Sequence, residues 1–436
     1  MEQSELRLPI KPLVIRGGRV VDPSRELDAE LDVLIGADGR IAEVAAGIEA
    51  SDAEVLDAAG LVVAPGLIDI HVHLREPGQE YKETIRTGTR AAAAGGFTAV
   101  ACMANTVPVN DSRSVTEHIV SEARRAGFAR VYPVGAVSKG LRGEELAEVG
   151  DMVTAGAVAI SDDGKPVAHP ELMRRALLYA RHFDLPVVQH AQDLELSAGG
   201  VMHEGAVSAR FGLAGIPAAA EDVMVARDLL LAEDTGGRYH LQHLSSLRSL
   251  DLIRAAKAKG LAVTCEVTPH HLLLTDETVA EQALSPDTKM NPPLRSERDR
   301  EALVAGLVDG SIDCIASDHA PHHPDEKELD FVDAPFGIVG LETTVSLCLD
   351  RLVHGGLLPL ARLIALLSTE PARVMGLPGG TLAPGSPGDV TLLDLEREVA
   401  VDATRFESKG RNTPFDGWRL RGAAAGTVVG GRVIRL

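Results

Sequence analysis

Eight short apolar runs, rich in β-branched residues, recur along the middle of the chain and constrain its fold more than any other feature. Segments rich in Ala, Leu, Arg and Glu separate them, as in PELMRRALLYARHF at 170–183. Strands that alternate with helices favour a parallel sheet. Eight such units over roughly 310 residues predict an α/β fold of the (β/α)8 TIM-like barrel type. The runs are 67–73, 97–103, 131–137, 155–163, 185–191, 239–244, 261–268 and 312–318.

Both ends of the chain show a different pattern, with short alternating strands between glycine-rich turns. LVIRGGRVVD at 13–22 and LDVLIGADGR at 31–40 are examples near the start, and GDVTLLDLE at 388–396 is one near the end. Alternation of apolar and polar residues indicates strands with one buried face. We therefore predict a small β-sandwich module built from both termini, with its parts at 1–64 and 377–436 and the barrel at 65–376.

The charge balance of the chain excludes one class of partner. The 436 residues include 43 Lys and Arg against 63 Asp and Glu, a formal net charge of −20. No cluster of basic residues is present that could neutralise nucleic-acid phosphates, so we predict no nucleic-acid binding. An anionic substrate would be repelled at long range and would have to be captured by local Arg or His residues.

The cysteines and the hydropathy of the sequence indicate the cellular compartment of the protein. Cys102, Cys265, Cys314 and Cys348 form no C-x-x-C pair, and three of them lie inside apolar runs, as buried free cysteines do. Reduced thiols predict a cytoplasmic protein. The first residues lack a basic region followed by an apolar one, and no run of about 18 apolar residues occurs, so we expect neither a secretory signal nor a membrane span.

Histidine and aspartate residues stand at the ends of five of the eight runs. Active sites of barrel enzymes lie at the carboxyl ends of the strands, so these side chains should meet at one mouth. The residues are His71 and His73, Asp162 and Asp163, His190, His243, and Asp318 with His319.

This convergence indicates a metal site. His71 and His73 are two apart on a strand and so point to the same face. An isolated pair of this kind is more often structural, but His and Asp from several strand ends are the usual ligands of catalytic zinc. Asp162 and Asp163 point to opposite faces, and the spacing does not choose between them. Asp318 fits two roles, a helix cap or a carboxylate that transfers a proton beside a metal.

Other histidines receive weaker functional interpretations. His240 should point to the face opposite His243, and His270 with His271 are candidates for lining the mouth. The remaining histidines considered lie in or beside predicted helices and should be surface residues: His118, His169, His182, His203 and His354.

The local sequences around these residues resemble the amidohydrolase superfamily and, within it, the bacterial monofunctional dihydroorotases. HLREPG and KMNPPLR are the most specific of the motifs, which follow the expected order over nearly the whole barrel. Ala104 stands where the family pattern has Pro, beside Asn105, but this change removes no functional group. The motifs are DIHVHLREPGQEYKE (69–83), ACMANT (101–106), SDDG (161–164), QHAQD (189–193), HLSS (243–246), CEVTPHHL (265–272), KMNPPLR (289–295), SDHAPH (317–322) and APFGIVGLET (334–343).

The resemblance implies two zinc ions and a role for each ligand. The first ion would be bound by His71 and His73, and the second by His190 and His243. Asp163 would bridge the ions. Many relatives bridge instead with a carbamylated lysine at the end of the fourth strand, but AGAVAISDDG contains no lysine, and Lys165 follows only after Gly164. Asp318 would ligate the first ion and carry the proton.

The resemblance also implies the substrate contacts. Arg75, Asn105 and His322 would hold a substrate carboxylate, and a guanidinium fork suits that task. His73 would face the substrate beside its metal, Asn291 would contact the ring, and the backbone of Phe336 and Gly337 would contact the pyrimidine edge. The charged, proline-containing segment 322–337 should form a mobile lid over this site.

The reaction implied is reversible zinc-dependent hydrolysis of (S)-dihydroorotate to N-carbamoyl-L-aspartate in pyrimidine synthesis, by a homo-oligomer with aspartate carbamoyltransferase as an expected partner. One alternative is another cyclic-amide hydrolase, such as a hydantoinase or allantoinase. An uncharged substrate would need no clamp like that of Arg75 and Asn105. A second alternative is a non-catalytic scaffold for the carbamoyltransferase. Such a scaffold should have lost ligands, whereas all six candidate positions are filled here.

Overall fold

Eight parallel strands follow one another around a barrel in the computed structural model, which describes residues 11–436. The sheet order is the chain order, and a parallel bridge between Val72 and His319 joins the first strand to the segment after the eighth. His73 N donates to His319 O at 2.8 Å at this junction. The predicted (β/α)8 barrel is confirmed. Its strands are Leu67–Val72, Phe97–Cys102, Arg130–Gly135, Ala159–Ile160, Pro186–Gln189, Arg238–Leu241, Val263–Val267 and Cys314–Ile315.

Helices connect the strands and cover the outside of the barrel. Helix Ile85–Ala94 illustrates how the sequence begins one: Thr84 accepts a hydrogen bond from Thr87 N, as helix-capping residues do. No helix among the described residues is long and apolar enough to cross a membrane. The other main helices are Arg113–Ala126, Val149–Ala155, Pro170–Arg181, Ala219–Thr235, Leu247–Ala258 and Glu297–Val308.

Shorter helices occur in the loops and after the eighth strand. In the loops they are Ala206–Phe211, Pro269–Leu273, Asp276–Glu281 and Pro324–Lys327. After the barrel, helices Thr344–Cys348, Leu360–Ile364 and Glu370–Met375 alternate with the π-helical stretches Leu349–His354 and Ala365–Thr369. Single 3-10 turns lie at Pro23–Arg25, Lys139–Leu141, Pro286–Thr288 and Ala403–Arg405.

The fourth strand is much shorter than the run that predicts it. Only Ala159–Ile160 is extended, whereas Ala155 ends helix Val149–Ala155. Gly156, with φ of 121°, terminates that helix because an L side chain rarely adopts such a backbone angle. The two aspartates of SDDG therefore follow a very short strand.

Strands from both ends of the chain pair in a second eight-stranded sheet, as predicted. Its path runs from Arg432–Val433 through Arg419–Val429, Val390–Ala400, Val62–Pro65, Leu13–Asp22 and Leu27–Ile35 to Ile41–Ala45, with Glu54–Asp57 also paired to Leu13–Asp22. The proposed domain limits stay a prediction, and residues 1–10 of the first part lie outside the described residues.

The terminal module is attached where the first barrel strands begin. Thr391 Oγ1 donates to Gly96 O at 2.7 Å and accepts from Leu67 N at 3.1 Å. Arg130, at the start of the third strand, forms a buried ion pair with Asp389 at 2.6 Å. The opposite end of the barrel, where the polar side chains are, stays open for a site.

Apolar side chains fill both faces of the barrel wall. Leu67 and Val72 of the first strand belong to the large cluster shared with the helices, while Ile68 and Ile70 belong to a separate cluster. Each fully buried Leu, Ile or Val contributes roughly 1.5–3 kcal/mol to stability. The polar residues that follow these strands are therefore attached to closely packed strands, which fix their positions.

Candidate metal centre and active site

The carboxylate of Asp163 lies between two pairs of histidines. Its Oδ2 is 3.5 Å from His71 Nε2 and 3.3 Å from His73 Nε2. Its Oδ1 is 3.3 Å from His190 Nδ1 and 3.6 Å from His243 Nε2. Each oxygen therefore faces one pair, which is the arrangement expected of a carboxylate shared by two cations.

Asp318 completes the group beside the first pair. Its Oδ1 lies 3.2 Å from His73 Nε2 and 3.4 Å from His71 Nε2. Two ligand atoms bound tetrahedrally to one zinc ion at about 2.0–2.1 Å would be about 3.3 Å apart. The separations seen here match that spacing. The six residues form overlapping groups of potential metal ligands: His71, His73, Asp163, His190, His243 and Asp318.

Hydrogen bonds to the outer nitrogens orient the histidine rings. His73 Nδ1 lies 2.9 Å from Asn105 Oδ1, and His190 Nε2 lies 2.9 Å from Gln192 Oε1. Because an amide oxygen only accepts, each of these ring nitrogens carries the proton and donates. The opposite nitrogen of each ring faces Asp163 and is the one available for metal ligation.

His71 is oriented by a chain of buried polar groups inside the barrel. Its Nδ1 donates to Glu266 Oε1 at 2.6 Å, and Glu266 Oε2 is 3.1 Å from His240 Nε2. His240 Nδ1 in turn lies 2.7 Å from Thr264 Oγ1. His240 is therefore part of the support beneath His71. The expectation that it points to the face opposite His243 relied on strand alternation, but strand Arg238–Leu241 ends before His243, which has φ of 30°.

The carboxylates and histidines of the centre interact strongly with one another. Asp163, Asp318 and Glu266 are all buried within one cluster. Burial lowers the pKa of His71, but the charges of Asp318 and Asp163 outweigh burial and hold this pKa well above its usual value. Burial raises the pKa of Asp318, yet the charge of His71 and a hydrogen bond from His73 leave it below its usual value. Buried carboxylates need cations, so the donor set fits bound metal.

Asp162 and Asp163, which the sequence left as alternatives, have different surroundings. Asp162 Oδ1 accepts hydrogen bonds from Val137 N at 2.8 Å and Ser138 N at 2.9 Å, and so ties the loop after the third strand. Only Asp163 faces the histidines. Lys165 Nζ bonds Leu141 O at 3.5 Å instead of joining the cluster.

Three residues of the site have strained backbone conformations. Arg75 has φ of 62°, His243 of 30° and Asp318 of 49°, all in the left-handed region that non-glycine residues rarely adopt. Such strain persists only where the surrounding structure holds it, and it is common at functional sites.

A cavity of about 210 Å³ opens above the centre. Asp163, His190, His243 and Asp318 form its floor. Every residue expected to contact substrate also lines it: His73, Arg75, Asn105, Asn291, His322, Phe336 and Gly337.

Arg75 brings to this cavity a positive charge that is not paired directly with a carboxylate among the described residues. The side chain is buried, and its Nε donates to Pro321 O at 3.2 Å. Among residues 11–436 no carboxylate forms an ion pair with it. Burial lowers the pKa of Arg75, and a guanidinium nevertheless stays charged at neutral pH. The cavity thus presents a cation suited to an anionic group.

His322 and Asn291 both line the cavity and bond to different neighbours. Burial and the charge of Arg75 lower the pKa of His322 to about 3, so its ring is neutral. Its Nε2 donates to Phe336 O at 2.9 Å. Asn291 Nδ2 donates to Gln192 Oε1 at 2.7 Å, which links it to the His190 side of the centre.

Gly337 contributes space as well as backbone. A Cβ atom there would lie 2.8 Å from Ala320 Cβ and 3.2 Å from His322 Nε2, at a φ of 122°. Its N–H donates to Lys289 O at 2.9 Å. The predicted contact of the Phe336 and Gly337 backbone with a substrate could use this N–H only if that hydrogen bond were replaced.

Segment 322–337 is more ordered than the sequence predicts. It contains helix Pro324–Lys327, and Lys327 Nζ donates to Pro286 O and Pro335 O, both at 2.9 Å. Lys289 Nζ donates to Val332 O and Ala334 O at 2.8 and 2.6 Å. Lys327, within the segment, and Lys289, outside it, both fasten the segment by binding backbone carbonyls. Its mobility stays a prediction.

Three other histidine expectations have different outcomes. His203 is buried rather than at the surface, beside Arg295 NH1 at 3.3 Å, and burial lowers its pKa to about 4. His270 and His271 are also buried and do not line the cavity. His271 Nε2 instead donates to Pro292 O at 3.0 Å.

Sequence reasoning missed Glu266 and Gln192 as supporting residues. Glu266 had a recognisable signal, since a charged residue inside the apolar run VTCEV is costly unless it has partners. Gln192 had none, because its role depends on where the loop after the fifth strand places it relative to His190 and Asn291.

Comparison with known proteins agrees with this geometry. A family described as "Dihydro-orotase-like" matches residues 60–249. The chain is 55% identical to a dihydroorotase of Syntrophotalea carbinolica over 97% of this chain and 98% of that one. It is 57% identical to one of Anaeromyxobacter dehalogenans over 97% of each chain.

Solved structures give the same fold. An L-hydantoinase (dihydropyrimidinase) from Arthrobacter aurescens superposes with a TM-score of 0.87 at 28% identity, covering 98% of this chain and 96% of that one. A D-hydantoinase (dihydropyrimidinase) from Thermus sp. gives 0.80 at 27% identity, covering 97% and 94%. The fold is thus common to several cyclic-amide hydrolases, while the extended sequence identity is to one group among them. This chain belongs to the dihydroorotase family.

Proposed function

We propose that this protein catalyses the reversible hydrolysis of (S)-dihydroorotate to N-carbamoyl-L-aspartate, a step of pyrimidine synthesis. The observation that carries this proposal is Arg75, a buried guanidinium without an acidic partner among the described residues, which shares one cavity with the candidate metal centre. Dihydroorotate bears a carboxylate for Arg75 and a cyclic amide for the centre. Hydantoin and allantoin lack that carboxylate.

We propose that the metal is zinc and that there are two ions. His71, His73 and Asp318 would hold the first, His190 and His243 the second, and Asp163 both. When bound, zinc supplies Lewis-acid chemistry by polarising the ring carbonyl and lowering the pKa of the attacking water. Four histidines and two carboxylates are donors that zinc accepts.

The side chains of this protein would perform the remaining tasks. Arg75, Asn105 and His322 would fix the exocyclic carboxylate, so the ring amide is presented to the floor of the cavity in one orientation. Asp318 would take a proton from the attacking water. It would return this proton to the ring nitrogen as the C–N bond breaks, and the products balance as one N-carbamoyl-L-aspartate.

An assay of the purified protein on dihydroorotate, hydantoin and allantoin side by side tests the proposal. We expect hydrolysis of dihydroorotate with a kcat/KM that exceeds those of the other two substrates. The reverse reaction, ring closure of N-carbamoyl-L-aspartate, should be measurable in the same preparation. Preference for an uncharged ring would identify another cyclic-amide hydrolase, and a loaded protein inactive on all three would favour the scaffold alternative.

Replacing Arg75 with alanine should reduce kcat/KM for dihydroorotate by about 10-fold to 10²-fold, since a hydrogen bond to a charged group contributes on the order of 1.5–3 kcal/mol. Dihydrouracil has the same ring without the carboxylate, so its much slower hydrolysis should change little. Arg75→Lys keeps the charge but not the fork and should recover only part of the loss. Equal losses on both substrates would mean that Arg75 supports the fold.

The cellular location, the oligomeric state and the protein partner are also proposals. We propose a cytoplasmic location, which is supported by four buried free cysteines. We also propose a homo-oligomer, supported by exposed apolar side chains such as Val223 and Leu230 on helix Ala219–Thr235. An aspartate carbamoyltransferase remains the expected partner. Gel filtration of the protein, alone and with that enzyme, measures both associations.

A further inference from the structure

The segment 401–418 connects two strands of the terminal module, Val390–Ala400 and Arg419–Val429, but it extends to the mouth of the barrel. One residue of this segment, Asn412, contacts the walls of the substrate cavity without lining it. We infer that Asn412 is a positioning residue that holds the carboxylate-binding side of the cavity in its working shape. This inference rests on the proposed function.

Asn412 joins two loops that are separate in the sequence. Its Nδ2 donates to Ala320 O at 3.1 Å and to Gly337 O at 3.0 Å, and its Oδ1 accepts from His322 N at 3.2 Å. Its backbone oxygen accepts from Val339 N at 2.9 Å. The side chain is only 4% exposed, so solvent cannot replace these bonds. The loop after the eighth strand is thereby fixed to the loop that carries Gly337.

The loop that Asn412 holds contains or contacts two of the three residues proposed to bind the substrate carboxylate. His322 belongs to it, and Arg75 is bonded to it through Pro321 O at 3.2 Å. A shift of residues 320–322 would therefore move the His322 ring and release the Arg75 guanidinium together. Small misplacements of orienting groups can reduce rates by up to about 10²-fold.

The segment around Asn412 is itself firmly attached to the barrel. Glu83 accepts from Ser408 Oγ at 2.5 Å and from Lys409 N at 3.2 Å. Gly410 packs so closely that a Cβ there would lie 2.6 Å from Val339 and 2.8 Å from Pro321. These contacts hold the backbone beside Asn412 in place, so its side chain reaches the two loops from a fixed position.

Only an amide satisfies all three side-chain bonds, because it offers two N–H donors and an accepting oxygen. Asn412→Asp keeps the size and the acceptor but turns a carboxylate toward two carbonyl oxygens. Asn412→Ala removes all three bonds. For both variants we expect KM for dihydroorotate to rise by about 10-fold to 10²-fold, with a smaller change in kcat. The metal content should not change, because Asn412 contacts none of the proposed ligands.

Thr391→Val is the matched control. Thr391 is a buried residue of the same module that also bonds two barrel backbone groups, but at the opposite end of the barrel. We expect this variant to lower the melting temperature while leaving KM unchanged. If Asn412→Asp does not fold, Asn412→Ala provides the same comparison. A folded Asn412 variant whose KM stays at the wild-type value, or whose kinetics only follow those of Thr391→Val, would overturn the inference.

Hydrogen exchange without substrate separates this inference from the proposed function. Peptides covering residues 318–339 should exchange faster in Asn412→Ala than in the wild type or in Thr391→Val. Unchanged exchange there would contradict the positioning role even if the enzyme is active. A wild type that fails to hydrolyse dihydroorotate would instead contradict the proposed function, and the exchange result would still report on the contacts of Asn412.

Discussion

Asp318→Asn is expected to lower kcat for dihydroorotate by about 10²–10⁴-fold, the usual range for loss of a general acid–base group. The amide has the size of the carboxylate, so the cavity keeps its shape, but the amide cannot accept and return a proton. KM should change much less than kcat, because Arg75, Asn105 and His322 still bind the substrate. Steady-state kinetics in both reaction directions measure the effect.

The metal content of the same preparation must be measured, since Asp318 also lies 3.2 Å from His73 Nε2 among the proposed ligands. Asp162→Asn is a suitable comparison. It removes the charge of a buried carboxylate near the same mouth, one that bonds only loop groups. That variant should lose thermal stability rather than most of its turnover. Near wild-type kcat in metal-loaded Asp318→Asn would remove Asp318 from the mechanism.

Removal of metal should abolish hydrolysis, and zinc should restore it. The reason is the composition of the centre: four buried histidines and the carboxylates of Asp163 and Asp318 converge as potential metal ligands, and their separations fit zinc coordination. Dialysis against a chelator followed by zinc titration, with the metal bound per chain determined alongside, measures this. Full activity in protein shown to be free of metal would refute the metal centre.

Asp163 and Lys165 distinguish the two possible bridges. Asp163→Ala should bind less zinc per chain and lose activity, because both of its oxygens face histidines. Lys165→Ala should keep both metal and activity, because Lys165 Nζ is directed to Leu141 O. Bicarbonate should have no effect on either protein. An added carboxyl group on Lys165, or two zinc ions retained by Asp163→Ala, would contradict the assignment.

Sequence reasoning succeeded where periodic pattern and position in the strand carry the information. His71 and His73 could be assigned to one face because side chains alternate along a strand. Their meeting with His190, His243 and Asp318 followed from the rule that barrel sites lie at the carboxyl ends of strands. The pairing of both chain ends in one sheet likewise agrees with the alternation seen at 13–22 and 388–396.

The rest depended on contacts between distant parts of the chain. Asp162 and Asp163 are the same residue type in adjacent positions. Only the folded loops determine that Asp162 bonds backbone N–H groups while Asp163 faces the histidines. The direction of His240 relative to His243 could not be read from their spacing, because strand Arg238–Leu241 ends before His243, which has φ of 30°. The bonds that Lys289 and Lys327 make to carbonyls of segment 322–337 could not be predicted either, because they join parts of the chain that are distant in the sequence.

The pairing of strand Val390–Ala400 with Val62–Pro65 has a consequence for the order in which the protein is made. During synthesis the barrel can begin to fold while the strands near residue 62 still lack this neighbour, because more than about 300 residues separate the partners. Asn412 emerges later still. A nascent chain halted before that point would contain every proposed metal ligand but would lack Asn412, which joins the two loops beside the cavity. Such a chain would expose the unpaired edge of strand Val62–Pro65. Unpaired strand edges are sites of aggregation, and chaperones protect chains that expose them.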